Sequence, residues 1–217
     1  FAESKFFLNE GSNLSPCNPY GCSQLLSFSL IKSIRDNSGI WASSAILFPH
    51  ESIRRSEGFL FKKILKQVDD ILLAKASKIT IGNEHVIRDW GLAIDYVYYM
   101  LLIISKERPI DICICTSEGN SVKNLVKSIC NCYDLNCDDL VRIDNSLSRQ
   151  YEPKSIIGDN KLLKDHLKIE SPLKMNETIK KIINNRNKIK EDERKLDRVS
   201  DFLNKEKINF LKKSFSL

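Results

Sequence analysis

The sequence predicts an α/β fold, and three observations carry that expectation. Stretches with apolar residues at helical spacing alternate with short apolar runs of strand length. Turn residues, Gly and Asn foremost, separate them. From Tyr20 to Phe48 a helix, a Gly turn and an apolar run follow one another, which has the form of half a βαβ unit.

Residues 1–19 read as loop, because Asn9, Gly11, Asn13, Pro16, Asn18 and Pro19 supply turn chemistry and no periodicity. A helix is predicted from Tyr20, with Leu25, Leu26, Phe28, Leu30, Ile31 and Ile34 as a broad apolar stripe and Asn37-Ser38-Gly39 as its stop. Ile40–Phe48 reads as a buried strand and Pro49–Gly58 as a loop. Phe59–Ala74 has helical spacing through Ile64, Leu65, Val68 and Ile71. Lys78–Ile81 is a short strand closed by Gly82-Asn83. Asp89–Ile104 is expected to be a helix capped by Asp89, with Trp90 packed; whether these two are structural or part of a site stays open. Asp111–Thr116 alternates as a strand, which places Cys113 and Cys115 on one face. Ser121 suits the N-cap of a helix over Val122–Cys132, and Lys161–Leu167 and Asn176–Ile183 read as further short helices. From Ile189 the residues Leu196, Val199, Leu203 and Phe210 continue one stripe among charged positions, an amphipathic tail.

Composition narrows the function classes. The chain has 217 residues, 42% hydrophobic and 29% charged, enough to bury a core. No apolar run reaches the ~18 residues of a membrane span, and the opening Phe-Ala-Glu-Ser-Lys has no signal-peptide form, so a cytoplasmic protein without membrane contact is expected. Net charge is +6, and ten Lys/Arg against six Asp/Glu lie from Asn184 onward. That reads as a solvated helix; with no recognition motif beside it, a nucleic-acid partner is not expected. The seven cysteines lack the C-x-x-C spacing of zinc sites, so reduced thiols and no metal are expected.

Four ordered blocks give the sequence a family likeness. Asn18-Pro19-Tyr20-Gly21-Cys22-Ser23-Gln24 resembles the Ser-Pro-Tyr-x-x-x-Lys signature of extended short-chain dehydrogenases acting on nucleotide sugars. Ile46-Leu-Phe-Pro-His-Glu-Ser-Ile-Arg-Arg55 resembles the Leu-Phe-Asn-His-Glu-Ser-Pro-Arg-Arg block of GDP-mannose 4,6-dehydratases. Gly82-Asn83, Arg88-Asp89-Trp90-Gly91 and Asp95-Tyr96-Val97 are similar to that family's next run, and Arg149-Gln-Tyr-Glu152 with Gly158-Asp159 to its last. The resemblance covers roughly residues 1–183.

The resemblance implies an NADP-dependent conversion of GDP-mannose to GDP-4-keto-6-deoxymannose. It makes Tyr20 the base and Glu3 the catalytic Glu; a shifted register puts Lys5 there instead, and the choice stays open. Gln24 stands where the family has Lys. A neutral amide can hydrogen-bond a ribose but supplies no positive field beside the tyrosine. His50 and Arg55 match positions that touch NADP, Lys63 one near the nucleotide, Arg88 one at the diphosphate, and Arg149 with Glu152 those at the ribose and base. Pro49 replaces an Asn. The Gly-rich turn that grips a dinucleotide is absent from the sequence.

The resulting expectation is the C-terminal half of a Rossmann-type NAD(P)-binding fold plus a small substrate-binding domain over residues 1–183, and a helical C-terminal tail over 184–217. Dehydratase function is expected to be truncated or impaired in this chain, with NADP not held tightly by it alone. A separate N-terminal half or a homo-oligomer is the expected protein partner. The alternative is a non-catalytic nucleotide-sugar-binding or interaction module with a decayed site.

Overall fold

Short parallel strand pairs with helices between them organise this computed structural model, which describes residues 7–148 and 152–191, the side chains of the last helix only as far as residue 186. Helix α1 (Pro19–Ser38) starts where the Asn18 side chain accepts from the Gly21 amide and ends where Gly39 takes φ 64°, a left-handed conformation suited to glycine. Strands β1 (Ala45–Leu47) and β2 (His50–Glu51) follow, then α2 (Leu60–Leu72), β3 (Ile79–Ile81), β4 (Ile87–Asp89) and β5 (Gly91–Leu92). Helix α3 (Ala93–Ile104), β6 (Ile112–Ile114) and β7 (Gly119–Ser121) lead into α4 (Val122–Asn131), whose N-cap Ser121 accepts from the Asn124 amide. Strands β8 (Val141–Ile143) and β9 (Ser155–Ile156) precede α5 (Lys161–Leu167) and α6 (Met175–Glu191).

Strand β1 pairs with β6, β2 with β5, β3 with β8 and β4 with β9, all parallel; β7 runs antiparallel on the other side of β4. Each parallel partner lies across a long connection, as parallel pairing demands. The main core gathers Phe61, Ile64, Leu65 and Val68 of α2 with Leu125, Val126 and Ile129 of α4 and Ile179 and Ile182 of α6. A second cluster joins Tyr96, Leu102 and Ile103 of α3 to Ile112 and Ile114 of β6 and Leu163 of α5. The opposite face of β6 gives Cys113 to a third cluster with Cys115, Leu8 and Phe48, so the two cysteines do share a face. No described helix is long and apolar enough to cross a membrane.

Three expectations are corrected. The buried strand expected over Ile40–Phe48 shrinks to Ala45–Leu47, with Ile40 56% exposed. Side chains take the hydrogen bonds a longer ladder would make. Arg35 donates to Ala42 O, Ser43 Oγ accepts from the Ile110 amide, and the Ser44 amide donates to Asp111. Asp89 does not cap α3. It ends β4, and Leu92 stands at the N-cap with no side-chain bond. The helix expected over Asn176–Ile183 continues to Glu191.

Candidate functional site

In an open α/β sheet, ligands meet the carboxyl ends of parallel strands. The carboxyl end of β1 leads into Phe48–Glu51 and that of β6 into Cys115–Ser117. Strand β4 places Arg88 and Asp89 side by side, facing opposite ways.

Arg88 Nη2 lies 3.1 Å from Glu152 Oε1, and Nη1 donates to Ile87 O at 2.7 Å. Both charged side chains are largely shielded, 12% and 26% exposed, so the pair keeps more of its attraction than a surface pair. The two lie 64 positions apart in sequence and are brought together by β4–β9 pairing, with Arg88 opposite Ile156.

Asp89 is fully buried and satisfied. Its carboxylate accepts from the Thr116 amide and hydroxyl at 2.9 and 2.6 Å, the Ser117 amide at 2.9 Å and the Gly158 amide at 3.2 Å. Burial raises its pKa, and these bonds only partly oppose the rise. Trp90 is 5% exposed in the main core, a packing residue.

The second group sits between β2 and α2. His50 Nδ1 is 2.9 Å from Phe48 O, its ring centroid is 4.9 Å from that of Tyr96, and burial lowers its pKa. Glu51 is 5% exposed; burial pushes its carboxyl up to about 7 against the opposing pull of Arg55. Arg55 lies with Nε 3.5 Å from Glu51 Oε2 and its guanidinium carbon 3.5 Å from the centre of the Phe59 ring, a cation–π contact. Tyr96 is buried, its hydroxyl has no hydrogen-bond partner among the described residues, and burial holds its pKa well above the ordinary tyrosine value. Gly91 allows this approach: a Cβ there would fall 2.5 Å from Tyr96 Cε2.

The structure thus joins Arg88 to Glu152, and His50 to the loop that carries Arg55. Tyr20 and Gln24 stand one turn apart on α1, both exposed, Tyr20 by 74%. Among the described residues neither side chain hydrogen-bonds another residue of the site. Lys63 is exposed on α2. Glu3, Lys5 and Arg149 lie outside the described residues. Sequence reading missed Glu51 and Tyr96. The signal for Glu51 was its place four residues before Arg55, and for Tyr96 its place five after a glycine.

Comparisons with known proteins bear on the family and the fold. A family model described as GDP-mannose 4,6 dehydratase matches residues 2–182. The chain is 33% identical over 159 residues to GDP-mannose 4,6 dehydratase 2 of Arabidopsis thaliana, covering 73% of this chain and 43% of the plant protein. It is 37% identical over 112 residues to GDP-mannose 4,6 dehydratase of Homo sapiens, covering 52% of this chain and 30% of the human protein. The matched segment therefore spans less than half the length of these relatives. RMD from Pseudomonas aeruginosa, solved in complex with NADPH, superposes with a TM-score of 0.72 at 18% identity, over 82% of this chain and 58% of that one. The fold is accordingly of the Rossmann type that such NAD(P)-binding proteins share.

Proposed function

Because the chain belongs to the GDP-mannose 4,6-dehydratase family, we propose that it forms the nucleotide-sugar-binding part of an NADP-dependent dehydratase that converts GDP-mannose to GDP-4-keto-6-deoxymannose. The observation that carries this reading is the Arg88–Glu152 pair. A shielded arginine held in a fixed geometry by a carboxylate is suited to a diphosphate, because less of its side-chain freedom has to be given up on binding. In this reading Arg88 takes the diphosphate, and Glu152, with Arg149, takes donors of the ribose and base.

The residues present fit a nicotinamide dinucleotide in part. Arg55 offers a guanidinium for a phosphate and His50 a ring nitrogen beside it. When bound, NADP supplies the hydride acceptor and donor of the reaction. The chain's own share is to orient the sugar and to move protons. Tyr20 takes the proton from the sugar hydroxyl, and Glu3 acts at the neighbouring carbon. Gln24 weakens this step, since an amide beside Tyr20 adds no cation to stabilise a phenolate. The chain by itself is therefore impaired in turnover while keeping nucleotide binding.

Two measurements test the reading. Calorimetry should show salt-sensitive GDP binding that Arg88→Ala weakens by about 1.5–3 kcal/mol. NMR of the chain with GDP-mannose and NADP should show no 4-keto product. GDP binding that ignores Arg88→Ala removes the proposed site; clear product formation removes the proposed impairment.

A further inference from the structure

The loop between β2 and α2 holds an arrangement that the reading above leaves unexplained. Glu51 Oε2 and Arg55 Nε are both buried, and neither has a hydrogen-bond partner among the described residues. They lie 3.5 Å apart, close enough for an ion pair and too loose for an aligned bond. Unmatched polar atoms in the interior are costly, and two that face each other cost least when they meet. The face of the same guanidinium rests on the Phe59 ring. Its Nε edge is thus turned to Glu51 and its plane is fixed by Phe59. The edge that remains is the Nη1/Nη2 fork, which meets no acceptor among the described residues and matches two oxygens of a phosphate.

We propose that Glu51 is a positioning residue for Arg55: it holds the guanidinium by the Nε edge so that the terminal fork faces outward to receive a phosphate group of a nucleotide. This rests on the reading that the chain binds nucleotides. Among the described residues, Arg55 is the cation that forms an ion pair with the buried carboxylate. A phosphate on the fork fixes the guanidinium and closes the Nε–Oε2 gap to the ~2.8 Å of a charge-assisted bond.

The test uses the full chain with inorganic pyrophosphate as probe, read by calorimetry. Glu51→Met keeps the length and removes the acceptor; Glu51→Gln keeps an acceptor oxygen; Arg55→Ala removes the fork. Pyrophosphate affinity should fall roughly tenfold in Glu51→Met and in Arg55→Ala, with no further fall in the double variant, and should return to within about threefold of the parent in Glu51→Gln. Rescue by Gln separates positioning from a general packing role. Should Glu51→Met fail to fold, a Glu51→Gln variant as weak as Arg55→Ala overturns the inference. Unchanged affinity in Glu51→Met, additive losses in the double variant, or no pyrophosphate binding by the parent chain overturn it as well. Failure of the nucleotide-sugar reading shows separately, as GDP binding that Arg88→Ala does not change.

Discussion

On α2, Phe61, Ile64, Leu65 and Val68 are at most 1% exposed, whereas on α1 Leu26, Leu30 and Ile34 are 70, 56 and 38% exposed. Both helices carry apolar residues at helical spacing, and from the sequence both promise a buried face. The difference lies in what arrives to cover them. Helix α2 meets β3, α4 and α6 in the main core. Helix α1 has no buried residue in the described structure and is tied to the sheet at its C-terminal end. There Arg35 makes two 2.8 Å bonds to Asp111 and one to Ala42 O. Periodicity therefore reports that a helix has an apolar side, while covering that side is a property of the rest of the fold.

The largest effect that sharpens the contrast is expected in α2. Ile64→Ala removes wholly buried methyl groups and should cost about 2–5 kcal/mol in urea unfolding. Next comes the tie on α1. Arg35→Ala should cost about 1–2 kcal/mol, since the pair is partly shielded, and should speed hydrogen exchange in the last turn of α1 but not in α2. Burial pushes the Asp111 carboxyl upward, yet Arg35 and the Ser44 amide outweigh it and hold the pKa below its ordinary 3.8. A depressed carboxylate stabilises the fold above its unfolded value and loses that contribution as pH falls through the folded one. The gap between Arg35→Ala and the parent should thus be full at neutral pH and narrow below about pH 4. The smallest effect belongs to Leu30→Ala, at most about 0.5 kcal/mol. A cost near that of Ile64→Ala would break the comparison, because it would mean that the exposed stripe is covered in solution.

Much of the fold was legible because local chemistry dictated it. Gly39 ends α1, Ser121 caps α4, and α5 falls on the span its spacing predicts, Lys161–Leu167. The short strands were not legible. His50–Glu51 and Gly91–Leu92 become strands only by pairing with each other, a tertiary fact with no local signature. The same holds for Val141–Ile143, which pairs with Ile79–Ile81. Asp89 was misread because an acidic residue before an apolar helical run looks like an N-cap, and nothing local discloses donors at Thr116, Ser117 and Gly158. In the candidate site, Arg88 and Glu152 stood out as charges in matched blocks, but their contact depends on β4–β9 pairing. The buried state of Glu51 was hidden for a similar reason: its neighbours in sequence are polar, and its burial comes from packing.

The Asp89 junction also acts as a check on register. Its donors come from positions 27, 28 and 69 residues further along the chain. If β6 entered one residue out of step, its side chains would exchange faces, and Thr116 and Ser117 would no longer present their three donors to the carboxylate. Asp89 would then be a buried charge with most of its partners gone, a penalty of several kcal/mol borne by the misaligned state alone. One carboxylate thereby verifies that three distant segments have docked in the correct alignment and rejects near-misses that hydrophobic packing would tolerate.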